Sequence, residues 1–249
     1  IKKDRLFMII INKKRLLFIE FALIFSIFFS SLSLNKLENT NTISTSSTPV
    51  TGHTITLDAG HGIPDEGAQN KDGLTESGIN LKIVLKLQKL LEASNCNVIL
   101  TRSDENGIYD LDSKSLREMK VSDMKNRVKI GNSSDSDLFI SIHLNKIEQS
   151  KYYGWQTFYK KDSEEGKILS NLIQENLNNS IQISNKRIPQ SIKDKYIIEN
   201  VKVPTVIVEC GFLSNPEEAN LLKQDSYQEK IAWGIYAGIM DFFDNSSKN

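Results

Sequence analysis

The sequence has few of the residues that build the most recognisable sites and scaffolds. Its 249 residues include two cysteines and three histidines, and 31 basic side chains balance 31 acidic ones. Two cysteines are too few for a disulfide-rich scaffold or for a zinc site of four cysteines. A net charge of zero argues against a nucleic-acid-binding protein, which needs a basic face. Any site built on histidine must therefore draw on His53, His61 and His143.

The N-terminal part of the chain is expected to lie outside the folded domain. Residues 1–34 contain a basic stretch followed by the apolar run Leu16–Leu34, whose one charged residue is Glu20. This length fits either a membrane anchor or a signal peptide, and both interpretations stay open. The basic flank should remain in the cytoplasm, so we expect an extracytoplasmic protein, anchored or secreted.

A polar segment follows the apolar run. Eleven of the 18 residues in 35–52 are Ser, Thr or Asn, which predicts a flexible linker. Residues 53–249 are then expected to form the catalytic domain. They are enough for one domain with a sizeable core.

Within that domain, short β-rich runs alternate with helical patterns. This alternation predicts an α/β fold, a single domain with a twisted, mostly parallel central sheet and helices on both faces. The predicted strands are His53–Ala59, Asn97–Thr101, Leu138–His143, Gly154–Tyr159 and Val203–Cys210, and the predicted helices are Ile79–Ala93, Leu116–Asn132, Ser163–Asn178, Pro216–Leu222 and Gln228–Phe243.

Polar residues stand at the ends of three predicted strands. The segments DAGHG (58–62), SIHLN (141–145) and VECGFLSN (208–215) end these strands, and Glu76 precedes the first long helix. Because sites in such sheets lie at the carboxyl ends of the strands, these residues are expected to meet at one edge. Two histidines and a glutamate are a common zinc ligand set in hydrolases. His61, Glu76 and His143 are thus candidate zinc ligands, and Glu209 is the candidate general base.

Each of these residues also has a structural interpretation. A histidine at a strand end often makes only structural hydrogen bonds, and Glu76 could simply cap its helix. Glu209 is harder to explain in this way, because a carboxylate at the end of a buried strand is costly unless it is paired or binds a metal. His53 is expected to be structural, and Cys210 a small core residue.

The motifs together resemble a known family. DAGHG, TESGINLKI, the block from Arg127 through DSDLFISIHLN, and PTVIVECGFLSNPEEANLL are similar to motifs of the zinc-dependent N-acetylmuramoyl-L-alanine amidases of the Amidase_3 type. The resemblance covers about residues 54–243. With one apolar segment ahead of a minimal domain and no wall-binding repeats, the sequence is most similar to the sporulation-specific CwlD type.

The resemblance implies a reaction and its residues. It implies one Zn²⁺ ion on His61, Glu76 and His143, with Glu209 as the catalytic residue that passes a proton from the attacking water to the leaving amine. The substrate would be the amide between the lactyl group of muramic acid and L-alanine in peptidoglycan. The expected role is in spore cortex maturation, through muramic-δ-lactam formation, and in germination, with the space between the membranes of a forming spore as one location.

Two departures from the family pattern concern the substrate contacts. Ile63 stands where a second glycine is usual, and Glu199 stands where a basic residue is often found. Asn80 and Asn145 lie inside the motifs and are expected to shape the site.

The sequence also allows two other functions. A zinc peptidase acting on peptidoglycan stem peptides would use the same ligands, and a non-catalytic wall-binding module would not need them. We also expect an exported activator protein, with Tyr109–Lys120 and Ser184–Lys195 as candidate docking segments.

Overall fold

The computed structural model describes residues 47–133 and 135–246. The apolar run Leu16–Leu34 and most of the predicted linker lie outside these residues. In the described part of the chain, no helix is both long enough and apolar enough to cross a membrane. The end of the predicted linker packs on the domain, since Val50 is fully buried and the Thr48 hydroxyl donates a hydrogen bond of 2.6 Å to the Ser94 carbonyl.

The described residues form six strands and six helices. The strands are β1 (Thr54–Ala59), β2 (Asn97–Leu100), β3 (Leu138–Asn145), β4 (Gln156–Lys160), β5 (Gln190–Ile192) and β6 (Thr205–Phe212). The helices are α1 (Glu76–Ala93), α2 (Leu116–Ser133), α3 (Glu164–Ile181), α4 (Tyr196–Asn200), α5 (Pro216–Leu222) and α6 (Asp225–Ser246).

The strands form one sheet in the order β2-β1-β3-β6-β4-β5. The first four strands in this order are parallel to one another, while β4 pairs with β6 in the antiparallel direction. The carboxyl ends of β1, β3 and β6 therefore lie side by side at one edge. The predicted α/β fold with a mostly parallel sheet and helices on both faces is confirmed.

The two faces of the sheet differ in chemistry because side chains alternate along each strand. One face is apolar and packs against α1, α3 and α6. It carries, among others, Leu57, Ile140, Ile142, Val206 and Val208, all fully buried.

The opposite face is covered by α2 and α4, whose Val128 and Ile197 pack on Phe139 of β3. Its remaining strand positions are largely polar: Thr56, Asp58, Ser141, His143 and Glu209. The candidate functional residues therefore share the face under α2 and α4.

The predicted segments differ from the observed elements by two missed elements and by boundaries that shift by up to three residues. Helix α4 and the three-residue strand β5 were not predicted, because both are too short to show a periodic pattern. Helix α1 begins at Glu76, three residues before the predicted start, since Thr75 caps it by accepting a hydrogen bond from the Gly78 amide.

Candidate active site and metal centre

The turn after β1 places His61 at the edge of the sheet. His61 has φ of +62°, a left-handed conformation that side chains other than glycine seldom adopt. Gly60 precedes it with the ring of His143 directly above, and a Cβ atom at position 60 would lie 2.3 Å from His143 Nε2. Only a glycine at position 60 therefore lets the turn that contains His61 lie this close to the ring of His143.

Two arginines hold the carbonyl groups of this turn. Arg127 of α2 is almost fully buried and donates to the carbonyls of Ala59 and His61, at 2.7 and 2.5 Å. Arg102, after β2, donates to the carbonyls of Ala59 and Gly60, at 2.8 and 3.1 Å. The turn is thus fixed from both sides by guanidinium groups, which offer several donors in a rigid geometry.

A buried carboxylate balances the charge of Arg127. Asp58 is fully buried and lies 2.6 Å from Arg127 Nη1, and it also accepts hydrogen bonds from Ser141 and Thr101. Burial alone would raise the pKa of Asp58, but the Arg127 guanidinium together with the hydrogen bonds from Ser141 and Thr101 and the charge of His143 lowers it. Asp123, four residues before Arg127 in α2, forms a second ion pair with it at 2.5 Å.

The three predicted metal ligands come together around one carboxylate oxygen. Glu76 Oε1 lies 3.3 Å from His61 Nε2 and 3.0 Å from His143 Nδ1. One donor atom from each residue falls within 4.8 Å of the other two. Glu76 Oε2 accepts from the Ala68 amide at 2.9 Å, which fixes the carboxylate. Two imidazoles and one carboxylate are a donor set that suits Zn²⁺ and leaves a coordination position open.

Asp65 contacts the ring nitrogen of His61 that does not face Glu76, and Lys120 in turn contacts Asp65. His61 Nδ1 donates to Asp65 Oδ2 at 3.0 Å, and Asp65 Oδ1 lies 2.9 Å from Lys120 Nζ of α2. Burial acts to lower the pKa of His61, yet the hydrogen bonds to Asp65 and Glu76 raise it to about 9.

Glu209 stands beside His143 in the paired strands β3 and β6. Its Oε2 atom is buried and has no hydrogen-bond partner among the described residues. Burial raises the pKa of Glu209, and the nearby charges of His143 and Lys195 partly oppose this. A buried carboxylate oxygen without a partner is expensive in structural terms, and it suits a group that must accept a proton from a reacting molecule.

These residues line one cleft of about 330 Å³. Its floor contains His61, Glu76, His143 and Glu209. One wall comes from α2 and includes Lys120, Asp123 and Met124. The other wall comes from around α4 and includes Lys195, Tyr196 and Ile197. The cleft therefore lies between α2 and α4.

Other sequence candidates lie elsewhere or play supporting parts. His53 stacks on Phe243 and pairs with Asp137, outside the cleft. Cys96 and Cys210 are free thiols, both buried. Asn80 donates to the Gly60 carbonyl at 3.2 Å, so it supports the turn. Glu199 lies 3.9 Å from Lys160, away from the residues that line the cleft.

Sequence reasoning did not single out Asp65, Lys120, Arg102 or Lys195. A carboxylate four residues after a candidate histidine ligand in a glycine-containing turn was a usable signal for Asp65. The two lysines and Arg102 come from other segments, and no local pattern connects them with the site.

A histidine–glutamate–histidine cluster with a free buried carboxylate beside it, at the carboxyl edge of a parallel sheet, defines a candidate metal-dependent hydrolase. A family model described as N-acetylmuramoyl-L-alanine amidase, Amidase_3, matches residues 55–241. The chain therefore belongs to this amidase family, and the resemblance inferred from its motifs is confirmed.

Individual relatives agree with this assignment. The chain is 36% identical over 197 residues to the germination-specific N-acetylmuramoyl-L-alanine amidase of Bacillus subtilis, covering 79% of this chain and 82% of that protein. It is similar to the structure of the CwlD amidase from Clostridioides difficile in complex with the GerS lipoprotein, with a TM-score of 0.76 and 47% identity over 78% of this chain and 99% of that one. It is also 32% identical to the amidase LytC of B. subtilis, over 78% of this chain but 36% of that protein.

Proposed function

We propose that this amidase is zinc-dependent, with His61, Glu76 and His143 holding one ion and Glu209 acting as the catalytic residue. It hydrolyses the amide between the muramic acid lactyl group and L-alanine of peptidoglycan. The observation that carries this proposal is the convergence of three donor atoms within 4.8 Å, next to the free, buried Oε2 of Glu209.

The residues present fit a zinc ion and a hydrolytic reaction. When bound, zinc would polarise the scissile carbonyl and make a nucleophile of water at neutral pH. Glu209 accepts the proton of the attacking water and returns it to the leaving amine of L-alanine. Burial of the Glu209 carboxylate favours this cycle, because its raised pKa brings it closer to the working pH.

The biological setting is proposed from the relatives. One relative is named a germination-specific amidase, and a CwlD amidase forms a complex with a lipoprotein. We place this enzyme in spore cortex maturation and germination, outside the cytoplasm, with residues 1–34 as signal peptide or membrane anchor, 35–52 as linker and 53–249 as catalytic domain. An exported protein that activates it, docking at Tyr109–Lys120 or Ser184–Lys195, is part of the same proposal. Leu111 and Ile188 in these segments are exposed, at 98% and 67%.

Mass spectrometry of muropeptides tests the reaction. Purified full-length protein with zinc should release intact stem peptides that begin with L-alanine. Glu209→Gln should keep its zinc and lose at least roughly 10²-fold in turnover, because the shape remains and the base is gone. Cleavage inside the stem peptide would instead identify a peptidase. Normal turnover by Glu209→Gln would assign the base to another group, and loss of zinc would make Glu209 a ligand.

A further inference from the structure

The histidine ligand His61 is held by a side chain outside the candidate ligand set. We propose that Asp65 is a positioning residue that fixes the ring and the tautomer of His61 for metal binding, and that Lys120 holds Asp65 in place from helix α2. This inference rests on the proposed zinc site.

The chain brings Asp65 back to His61 through a closed turn. The Gly62 amide donates to the Asp65 carbonyl at 2.9 Å, and the Asp65 amide donates to the Gly62 carbonyl at 2.8 Å. This pair of hydrogen bonds folds residues 62–65 so that the Asp65 carboxylate faces His61 Nδ1 at 3.0 Å. The backbone of the turn, and not the Asp65 side chain, keeps the turn closed. A substitution at position 65 therefore leaves these two backbone hydrogen bonds in place, and it removes the carboxylate together with the hydrogen bond of 3.4 Å that Oδ1 accepts from the Gly67 amide.

The contact decides which ring nitrogen is free. An ionised carboxylate can only accept a hydrogen bond, so the proton of a neutral His61 ring resides on Nδ1. Nε2, which faces Glu76 at 3.3 Å, is then left with its lone pair for a metal. A carboxylate behind a histidine ligand also increases the basicity of the ring.

Lys120 completes the arrangement from a different element. Its ammonium lies 2.9 Å from Asp65 Oδ1, which also accepts a hydrogen bond of 3.4 Å from the Gly67 amide, while Oδ2 accepts from His61. An ammonium at this distance favours the ionised form of the Asp65 carboxylate. The link connects α2, which also holds the turn through Arg127, to the ring of His61.

The other histidine ligand is fixed in a different way. His143 has the Gly60 backbone against one edge of its ring and Glu76 at its Nδ1, and Glu76 is its one ion-pair partner in the described residues. His61 is thus the ligand whose orientation depends on a residue that does not face the metal. The protein also contains a comparable pair away from the site, His53 Nδ1 with Asp137 Oδ2 at 3.0 Å, which provides a matched control.

Zinc affinity of the full-length protein, measured by competition with a chromophoric chelator, tests the proposal. Asp65→Asn and Asp65→Ala should weaken zinc binding by about 10- to 100-fold, as expected for the outer partner of a histidine ligand. Lys120→Met should weaken zinc binding less than the Asp65 variants do, by roughly threefold or more. The Asp65→Asn/Lys120→Met double variant should bind zinc like Asp65→Asn alone, because Lys120 acts only through Asp65. Asp137→Asn should bind like wild type.

Nitrogen-15 spectra of the histidine rings give a second readout that a merely structural role would not move. Wild type and Asp65→Asn are compared without zinc, at a pH above the His61 pKa of about 9, where the ring is neutral. The His61 proton should then lie on Nδ1 in wild type, and the Asp65→Asn variant should contain a mixture of tautomers. If wild type binds zinc and both Asp65 variants bind it equally well, the inference is wrong. If Lys120→Met matches wild type, the part assigned to Lys120 is wrong. If wild type itself binds no zinc, the proposed function fails instead. Lys120 is half-exposed, so its variant is expected to fold even if an Asp65 variant does not.

Discussion

Replacing Arg127 by methionine is the most demanding test of how the site is supported. Arg127 is 2% exposed and its partner Asp58 is fully buried. Removal of one partner from a buried ion pair costs about 3–5 kcal/mol, because the remaining charge stays buried without compensation. A domain of this size has a free energy of unfolding of about 5–15 kcal/mol, so the variant should fold but be severely destabilised.

The loss of stability caused by Arg127→Met should depend on pH. In the wild type the pKa of Asp58 is lowered by Arg127, so its contribution to stability is present at neutral pH and is lost as the pH falls through the folded-state pKa. Without Arg127, burial dominates and raises the pKa of Asp58 above its unfolded value. The folded variant then binds a proton more readily than its unfolded chain, and its stability rises as the pH falls. The difference in stability between the two proteins should therefore narrow towards acidic pH.

Urea unfolding at neutral and mildly acidic pH measures both effects. Arg117→Met, at an exposed position of the same helix, is the matched control and should change stability by less than about 0.5 kcal/mol. Asp58→Asn combined with Arg127→Met should recover part of the loss, because it removes the stranded charge. A loss below about 1 kcal/mol in the single variant, or one that grows towards acidic pH, would refute the reasoning.

Three further results are expected at the site. His61→Ala should lose bound zinc in metal analysis, while His53→Ala keeps it. Equal zinc content in these two variants would contradict the assignment of His61 as a zinc ligand. Gly60→Ala should lower both zinc affinity and turnover by at least tenfold, since the new Cβ would meet the ring of the other histidine ligand at 2.3 Å; wild-type values for both would show that the ring moves freely. Lys195→Met should raise the pKa of Glu209 further, because Lys195 now lowers it; the acidic limb of the kcat/KM profile should move to higher pH, and an unchanged limb would contradict this.

The sequence predicted the parts of this protein that local patterns encode. Five strands and five helices followed from apolar periodicity, and the cluster of His61, Glu76 and His143 beside Glu209 followed from polar residues at strand ends and from the family motifs. The direction of β4 did not follow, because alternating strands and helices suggest parallel pairing by default. The support of the site did not follow either. Lys120, Arg102 and Lys195 reach the turn or the cleft from segments that are 41 to 134 positions away from His61, and only the folded chain brings them there.

The division between the two faces of the sheet explains why so much polarity can be buried near the site. The face towards α1, α3 and α6 is apolar along β1, β3 and β6, so it supplies the hydrophobic stabilisation of the domain. The other face does not have to supply this hydrophobic stabilisation, and it carries Asp58, Ser141, His143 and Glu209. Burying polar groups on this face costs little stability only where each has a hydrogen-bond or ion-pair partner. Arg127 and Glu76 are most of these partners. Glu209 Oε2 is the exception at the floor of the cleft, and this lack of a partner is the reason why we propose that it meets the substrate and the attacking water.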